Sequence, residues 1–491
     1  MSKRIASILV TLLLALSVSL GRIAFIMFSG EYKVSSGYNS YSLDLSVLKP
    51  TIYDCRLNRL NNNETEYAAV IRPNEKCLNE LQYLFSKQEV LEIRDELSKG
   101  YPVIKKVSSP NKNLKYIQFE KLISSKKTDD IFINSVMSNF NDEIGSKKVN
   151  FSVDALGRLL EGDNGTVINT DYDAQNGVIL TLDSEIQQIV TDASKSIKKG
   201  AVVVMDIKNS NILALVSKGN DYLNRANLSY SVGSIFKLVV CISAIENNIL
   251  ENYNCEGSIT VGDTTYSCQK ENAHGNQNMK EALANSCNCY FINLALLLGA
   301  DRITETAKSL GFGDDIYLEE KITVKGGAFP DESSLKSKGQ LALLGFGQGE
   351  LTDSPVHFCS FICSVANGGI YNKPNIILGS VDAHGGAYYN EEAQGTRVMK
   401  ASTAYKVSEY MRYVVSNGTG QSADYNFSSA GKTSTAQTGQ YVDNQEQFNT
   451  WFAGFYPYKN PKYAIVVMTE HGSSGAGDCC PVFRTIVEKL S

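Results

Sequence analysis

From Val178 onward, the order of apolar patterns leaves few folds open. Two strand-like runs, Gly200-Ala-Val-Val-Val-Met-Asp206 and Ile212-Leu-Ala-Leu-Val-Ser217, are joined through Lys208-Asn-Ser-Asn211 as a hairpin. Helical apolar spacing then covers 236–246, 279–298 and 356–366. Strand-like runs return at 431–437, 450–456 and 463–469, and 482–490 reads as a final helix. Ahead of the hairpin, Asp183 is placed to cap a helix running to about residue 198, with Glu185 in its first turn. Strands at both ends with helices between them predict one α+β domain, its antiparallel sheet flanked by helices and completed by its own C-terminus.

The N-terminus carries a different signal. Lys3 and Arg4 precede an apolar run from Ile5 to Leu20, which resumes after Arg22 through Phe28. At ~1.5 Å per residue this run is long enough to cross ~30 Å of hydrocarbon. The basic pair marks the cytoplasmic end, so the chain beyond about Ser29 is expected outside the cytoplasm, as a single-pass protein. The competing reading is a cleaved signal peptide, with Ser17-Val-Ser19 as its site. Continuation of the apolar run past that site favours the uncleaved anchor. Three regions follow: an anchor at 1–30, a polar Asn-, Lys- and Ser-rich region at 31–177 and a C-terminal domain at 178–491. Within the middle region, Leu78, Leu81, Leu84 and Phe85 predict a surface helix over 78–97.

The net charge of −5 comes with no dominant basic patch, which argues against nucleic acid as a partner. There are eleven cysteines, an odd count for an exported chain. Cys255 and Cys268 flank a short hairpin-like stretch and are the most plausible bonded pair. Cys287, Cys289, Cys359, Cys363, Cys479 and Cys480 read as small buried packing groups. No C-x-x-C pattern occurs, so no metal ligands are assigned and no cofactor is expected.

Three clusters in this domain bear chemistry: Ser234-Ile-Phe-Lys237, Ser286-Cys-Asn288 and Lys432-Thr-Ser-Thr435. Together they supply what an acyl-transfer enzyme without histidine or metal requires. Ser-x-x-Lys spacing alone is weak, because it recurs at Ser109/Lys112, Ser124/Lys127, Ser196/Lys199 and Ser333/Lys336. Ser234 differs in following Gly233 and in opening an apolar helix that would set its hydroxyl and the Lys237 amine on one face. A lysine acts as a base only if burial or a second cation lowers its pKa, and Lys432 is the candidate second cation. The Ser286 cluster, taken alone, reads as a helix cap or a polar break between helices. Lys432-Thr433-Ser434-Thr435, taken alone, reads as a solvated strand face. In one order, the three clusters are far more specific than any one of them.

With these motifs the region from Val178 resembles the transpeptidase domain of class B, monofunctional penicillin-binding proteins, in the serine penicillin-recognising superfamily. Leu223-Asn-Arg-Ala226, His274-Gly275, Gly345-Phe-Gly-Gln-Gly349, Val365-Ala-Asn-Gly-Gly369, Gly418-Thr-Gly420 and Trp451-Phe-Ala-Gly-Phe455 extend the resemblance. Thr51-Ile-Tyr-Asp54 resembles the start of that class's mixed α/β pedestal. The resemblance implies a peptidoglycan D,D-transpeptidase that cross-links stem peptides and is acylated by β-lactam antibiotics. It also implies a membrane location beside a membrane glycosyltransferase. Ser234 would be the nucleophile, Lys237 its base and Ser286 a proton relay. Lys432 would tune the charge, Asn288 would orient substrate, and Thr433 and Thr435 would bind a carboxylate. The N–H groups of Ser234 and Thr435 would form the oxyanion hole. Ser434 stands where the family usually has glycine, and a side chain there would crowd the acyl group or block close substrate approach. Two alternatives therefore stay open: a catalytically impaired scaffold or β-lactam sensor, and a β-lactam-hydrolysing or carboxypeptidase member.

Overall fold

The computed structural model describes residues 2–28, 40–125, 130–154, 156–268 and 273–491. The N-terminal helix spans Ser2–Phe28, and its stretch Ala6–Phe25 is apolar and long enough to cross a membrane. The expected end of the anchor at residue 30 lies outside the described residues.

The chain divides into two compact units. The smaller unit takes the chain up to Leu48 together with Thr65–Ile123 and Gly145–Tyr172. In it, Ser40–Leu48, Gly145–Ser152 and Thr166–Thr170 form one sheet, and Val103–Val107, Glu64–Ile71 and Gln118–Ser124 form another. The single helix expected over 78–97 is instead two, Glu75–Glu80 and Lys87–Leu97, with a 3-10 turn after the first. Ser86 causes the break. Its hydroxyl accepts the Glu89 N–H while the Glu89 carboxylate accepts the Ser86 N–H, a reciprocal cap that starts a new helix.

The larger unit contains Lys49–Glu64, Ser124–Ile144 and Asp173–Ser491. Two stretches assigned by sequence to the middle region, 49–64 and 124–144, thus fold with the C-terminal part. Thr51–Tyr53 runs parallel to Gly177–Leu180 in a shared sheet. The Asp54 carboxylate accepts the N–H groups of Arg56 and Asn58 and the hydroxyl of Ser184.

The main sheet is antiparallel. Its strands are β1 (Gly200–Asp206), β2 (Ile212–Lys218), β3 (Ala430–Val442), β4 (Gln445–Tyr456) and β5 (Tyr463–Thr469), ordered β2-β1-β5-β4-β3. The C-terminal strand β5 pairs with β1 along its whole length, Thr469 opposite Gly200 and Tyr463 opposite Asp206. That places β3, which carries Lys432, at an edge of the sheet.

Both faces of the sheet are covered, so the alternation of a strand decides which core each side chain joins. On one face Ala201, Val203, Met205, Trp451, Ala453 and Val466 meet the helices of the middle segment. On the other face Val202, Val204, Phe452, Ile465 and Val467 meet α1 (Ser184–Ala193) and the C-terminal helix. Asp183 caps α1 as expected, accepting the N–H groups of Glu185 and Ile186. The middle helices include α2 (Lys237–Glu246), α3 (Met279–Ala284), α4 (Asn288–Leu298), α5 (Pro355–Ala366) and α6 (Ala401–Asn417), with Ala300–Ser309 and Lys338–Gly345 between α4 and α5, and the C-terminal helix is α7 (Cys480–Lys489).

Phe483 of α7 meets Phe452 of β4 edge-on at 4.6 Å between ring centroids, and both are fully buried. Phe483→Ala should therefore cost about 3–5 kcal/mol. Chemical denaturation checks this, and a loss below about 1 kcal/mol would show that α7 does not close this core.

Candidate active site

The chain enters α2 through a 3-10 turn, Gly233–Phe236, in place of an α-helix beginning at the serine. With three residues per turn, positions i and i+3 lie in line, so Ser234 and Lys237 share a face through this tighter winding. Gly233 makes the entry, with φ of 57°, in the left-handed region open to glycine. A Cβ there would collide with the Ser434 hydroxyl and Ala436. Gly347 presses on the same turn from another side, since a Cβ on it would overlap the Gly233 carbonyl.

Two hydrogen bonds fix this turn to the sheet. Trp451 Nε1 of β4 donates to the Ser231 carbonyl at 2.9 Å. Ser434 Oγ of β3 donates to the Val232 carbonyl at 2.7 Å. The expectation that Ser434 would crowd the acyl group is thus corrected. Its side chain is 3% exposed and its hydroxyl is engaged beneath the turn that carries Ser234.

The sequence run 279–298 is also not one helix. It breaks at Asn285-Ser286-Cys287, between α3 and α4. Ser286 has φ of 53°, an uncommon conformation for a residue with a side chain. That kink turns its carbonyl and hydroxyl together toward Lys237. Lys237 Nζ donates to the Ser286 carbonyl at 2.8 Å, to Asn288 Oδ1 at 2.8 Å and to Ser286 Oγ at 3.3 Å. Lys432 Nζ reaches the same hydroxyl at 3.1 Å and donates to the Thr433 carbonyl at 2.8 Å. Ser286 Oγ therefore stands between two amines.

Both amines are fully buried, and neither forms an ion pair with a carboxylate among the described residues. Burial opposes the ammonium form and pushes Lys237 down to about 8. Burial also pushes Lys432 well down, and the charge of Lys237 adds to that shift. Two neighbouring lysines in this setting favour at most one shared proton.

The remaining expected residues occupy distinct places. Asn288 accepts from Lys237 and donates through Nδ2 to the Ser267 carbonyl at 3.1 Å, so both ends of its amide are engaged. Thr433 is buried, with its hydroxyl 2.6 Å from that of Thr419. Thr435 is partly exposed on the edge strand. Thr419, in the Gly418-Thr-Gly420 segment, is a residue of this site for which the sequence carries no chemical signal. Its loop docks on α3, where the Thr419 N–H donates to the Ala284 carbonyl at 3.1 Å. The roles of Trp451 and of the Val232 carbonyl had no sequence signal, because each depends on a contact between distant segments.

The expected Cys255–Cys268 bond is not present. The two sulfurs are 3.7 Å apart, far beyond the ~2.05 Å of a disulfide, and both thiols are free.

Comparison with known proteins then decides the family. Residues 200–488 match the penicillin binding protein transpeptidase domain, more than half of the chain. The chain belongs to that family. Its relatives place it among the class B penicillin-binding proteins. The peptidoglycan D,D-transpeptidase MrdA of Haemophilus influenzae is 26% identical over 367 residues, 64% of this chain and 56% of that protein. Stage V sporulation protein D of Bacillus subtilis is 26% identical over 366 residues, 68% of this chain and 55% of that protein. The chain thus matches just over half the length of these relatives. Penicillin binding protein 3 of Mycobacterium tuberculosis, solved with aztreonam, shares the fold with a TM-score of 0.65 at 19% identity, covering 92% of this chain and 96% of that one.

Two outcomes follow from this geometry. Ser434→Gly should lower thermal stability by about 1 kcal/mol through loss of the bond to Val232, without speeding β-lactam acylation. A gain of roughly tenfold or more in acylation rate, with no loss of stability, would put the Ser434 side chain back in the substrate's way. Because Lys237 becomes a base only when neutral, the acylation rate should climb with pH up to about 8 and level off above it, as stopped-flow quenching would report. A rate that falls over that range would exclude the amine as the base.

Proposed function

We propose that this chain is a membrane-anchored peptidoglycan D,D-transpeptidase. The convergence of Lys237 and Lys432 on one Ser286 hydroxyl carries this reading. It supplies a neutral amine, a proton relay and a neighbouring serine without histidine or metal. The matched transpeptidase domain and the name of the Haemophilus protein support it.

In this reading, Ser234 Oγ attacks the carbonyl between two D-alanines and its proton passes to Lys237. The tetrahedral oxyanion is held by the N–H groups of Ser234 and Thr435, each worth about 3 kcal/mol. Ser286 returns a proton to the departing D-alanine, with Lys432 keeping the relay charged and aligned. An amine from a second stem peptide then attacks the ester, gives up its proton through the same groups and frees Ser234. Asn288 orients the donor peptide, and Thr433 and Thr435 bind its carboxylate. A β-lactam follows the first half of this path and leaves Ser234 acylated.

The apolar helix Ser2–Phe28 would anchor the chain, with the two sheets of the smaller unit as the pedestal and the larger unit as the transpeptidase domain outside the cytoplasm. A membrane glycosyltransferase that supplies uncross-linked strands is the fitting partner. The buried position of Ser434 removes the observation that favoured an impaired scaffold.

The test is intact-mass spectrometry of full-length protein in detergent after exposure to benzylpenicillin, with synthetic stem peptides assayed in parallel. A stable adduct on the Ser234 peptide, lost in Ser234→Ala, together with cross-linked stem peptides, is expected. An adduct elsewhere, or rapid turnover of a chromogenic β-lactam with no cross-linking, would overturn the assignment.

A further inference from the structure

Directly behind the Ser286 turn, four donor atoms from separate segments converge. Cys255 ends the strand Tyr253–Cys255, which pairs with Gly275–Gln277, and His274 immediately precedes that partner strand. Cys268 follows the hairpin formed by Ser258–Val261 and Thr264–Ser267. Cys287 lies between Ser286 and Asn288 and caps α4. Their ligand atoms all lie within 4.8 Å of one another.

The spacing matches coordination better than disulfide bonding. A tetrahedral zinc ion with Zn–S near 2.3 Å and Zn–N near 2.0 Å separates its sulfurs by roughly 3.8 Å and a sulfur from a nitrogen by roughly 3.6 Å. Cys255 Sγ is 3.7 Å from Cys268 Sγ, Cys268 Sγ is 3.7 Å from Cys287 Sγ, and Cys255 Sγ is 3.5 Å from His274 Nδ1. The three thiols are buried, while His274 is half-buried and leaves an approach from solvent. Tyr290 N–H donates to Cys287 Sγ at 3.4 Å, and the start of α4 favours an anionic sulfur there. Cys289 Sγ lies 3.4 Å from Cys268 Sγ, beside the cluster.

We propose that Cys255, Cys268, Cys287 and His274 Nδ1 bind one zinc ion, and that this ion positions the Ser286-Cys287-Asn288 turn. Three thiolates and one imidazole form a closed structural donor set, with no open position for substrate. The ion would tie the excursion 253–277 to the turn. The bond from Asn288 Nδ2 to the Ser267 carbonyl, next to Cys268, is a second link between the same two parts. The ion touches no reacting atom; it acts through the place it gives Ser286 and Asn288.

The test uses full-length protein purified in detergent with a phosphine reductant and no chelator. Elemental mass spectrometry should find about one zinc per chain. Cobalt loaded in its place should give thiolate-to-cobalt charge-transfer absorption. Cys268→Ser and His274→Ala should lose the metal, whereas Cys359→Ser, a buried thiol on α5, should keep it. Stripping the zinc should slow acylation roughly tenfold, with recovery on adding it back. Less than a tenth of an equivalent of zinc after equilibration with zinc sulfate, a mapped Cys255–Cys268 disulfide, or full metal in Cys268→Ser would each overturn the site. Acylation unchanged on stripping would overturn the positioning role. The wild-type metal content and cobalt spectrum need no variant to fold. They are also read without β-lactam, so a failure of the transpeptidase assignment would leave them standing.

Discussion

One hydroxyl held between two buried amines is the constraint on which this active site depends. A lysine ammonium in a dry interior without a carboxylate is costly, and two of them side by side cost more. The protein meets that cost with hydrogen bonds instead of counter-charges. Lys237 is received by the carbonyl and hydroxyl of Ser286 and by Asn288, and Lys432 by Ser286 and the Thr433 carbonyl. The arrangement leaves two amines sharing one hydroxyl.

The fold delivers that arrangement from three distant pieces of chain. The pairing of β5 with β1 commits β3 to an edge, where Lys432 and Ser434 point to one side and Thr433 and Thr435 to the other. Lys432 can then meet Ser286 while Ser434 holds the turn that carries Ser234. The left-handed conformations at Gly233 and Ser286 bring the other two pieces in. Strain of order 1–3 kcal/mol at a non-glycine left-handed residue is tolerable only where surrounding contacts determine it, as the bonds around Ser286 do.

Much of this was legible in the sequence. The run Gly200–Asp206 announced a strand, and the return of strand-like runs near the C-terminus predicted a sheet completed by the C-terminal part, as the pairing of β5 with β1 bears out. The three chemical clusters, read in order, located the lysines and Ser286. What escaped has a common cause. Ser286-Cys-Asn288 read as a break between helices, and α3 and α4 do separate there, but nothing local marks the left-handed conformation of Ser286 within the apolar spacing of 279–298. The direction of Ser434 depends on the register of β3 against β4, Ser434 opposite Trp451, and on a carbonyl far away in sequence. The helix expected over 78–97 failed for a local reason instead, because Ser86 and Glu89 are spaced as a capping box and outweigh the apolar rhythm. The convergence of Cys255, Cys268, His274 and Cys287 has no short spacing motif, since the ligands are assembled by a ribbon, a hairpin and a turn.

A crystal structure of the benzylpenicilloyl adduct tests the central claim most directly. The account predicts an ester on Ser234 Oγ, with Ser286 Oγ within hydrogen-bonding reach of both Lys237 Nζ and Lys432 Nζ. An ester on another residue, or a Lys432 amine turned away from Ser286, would contradict it.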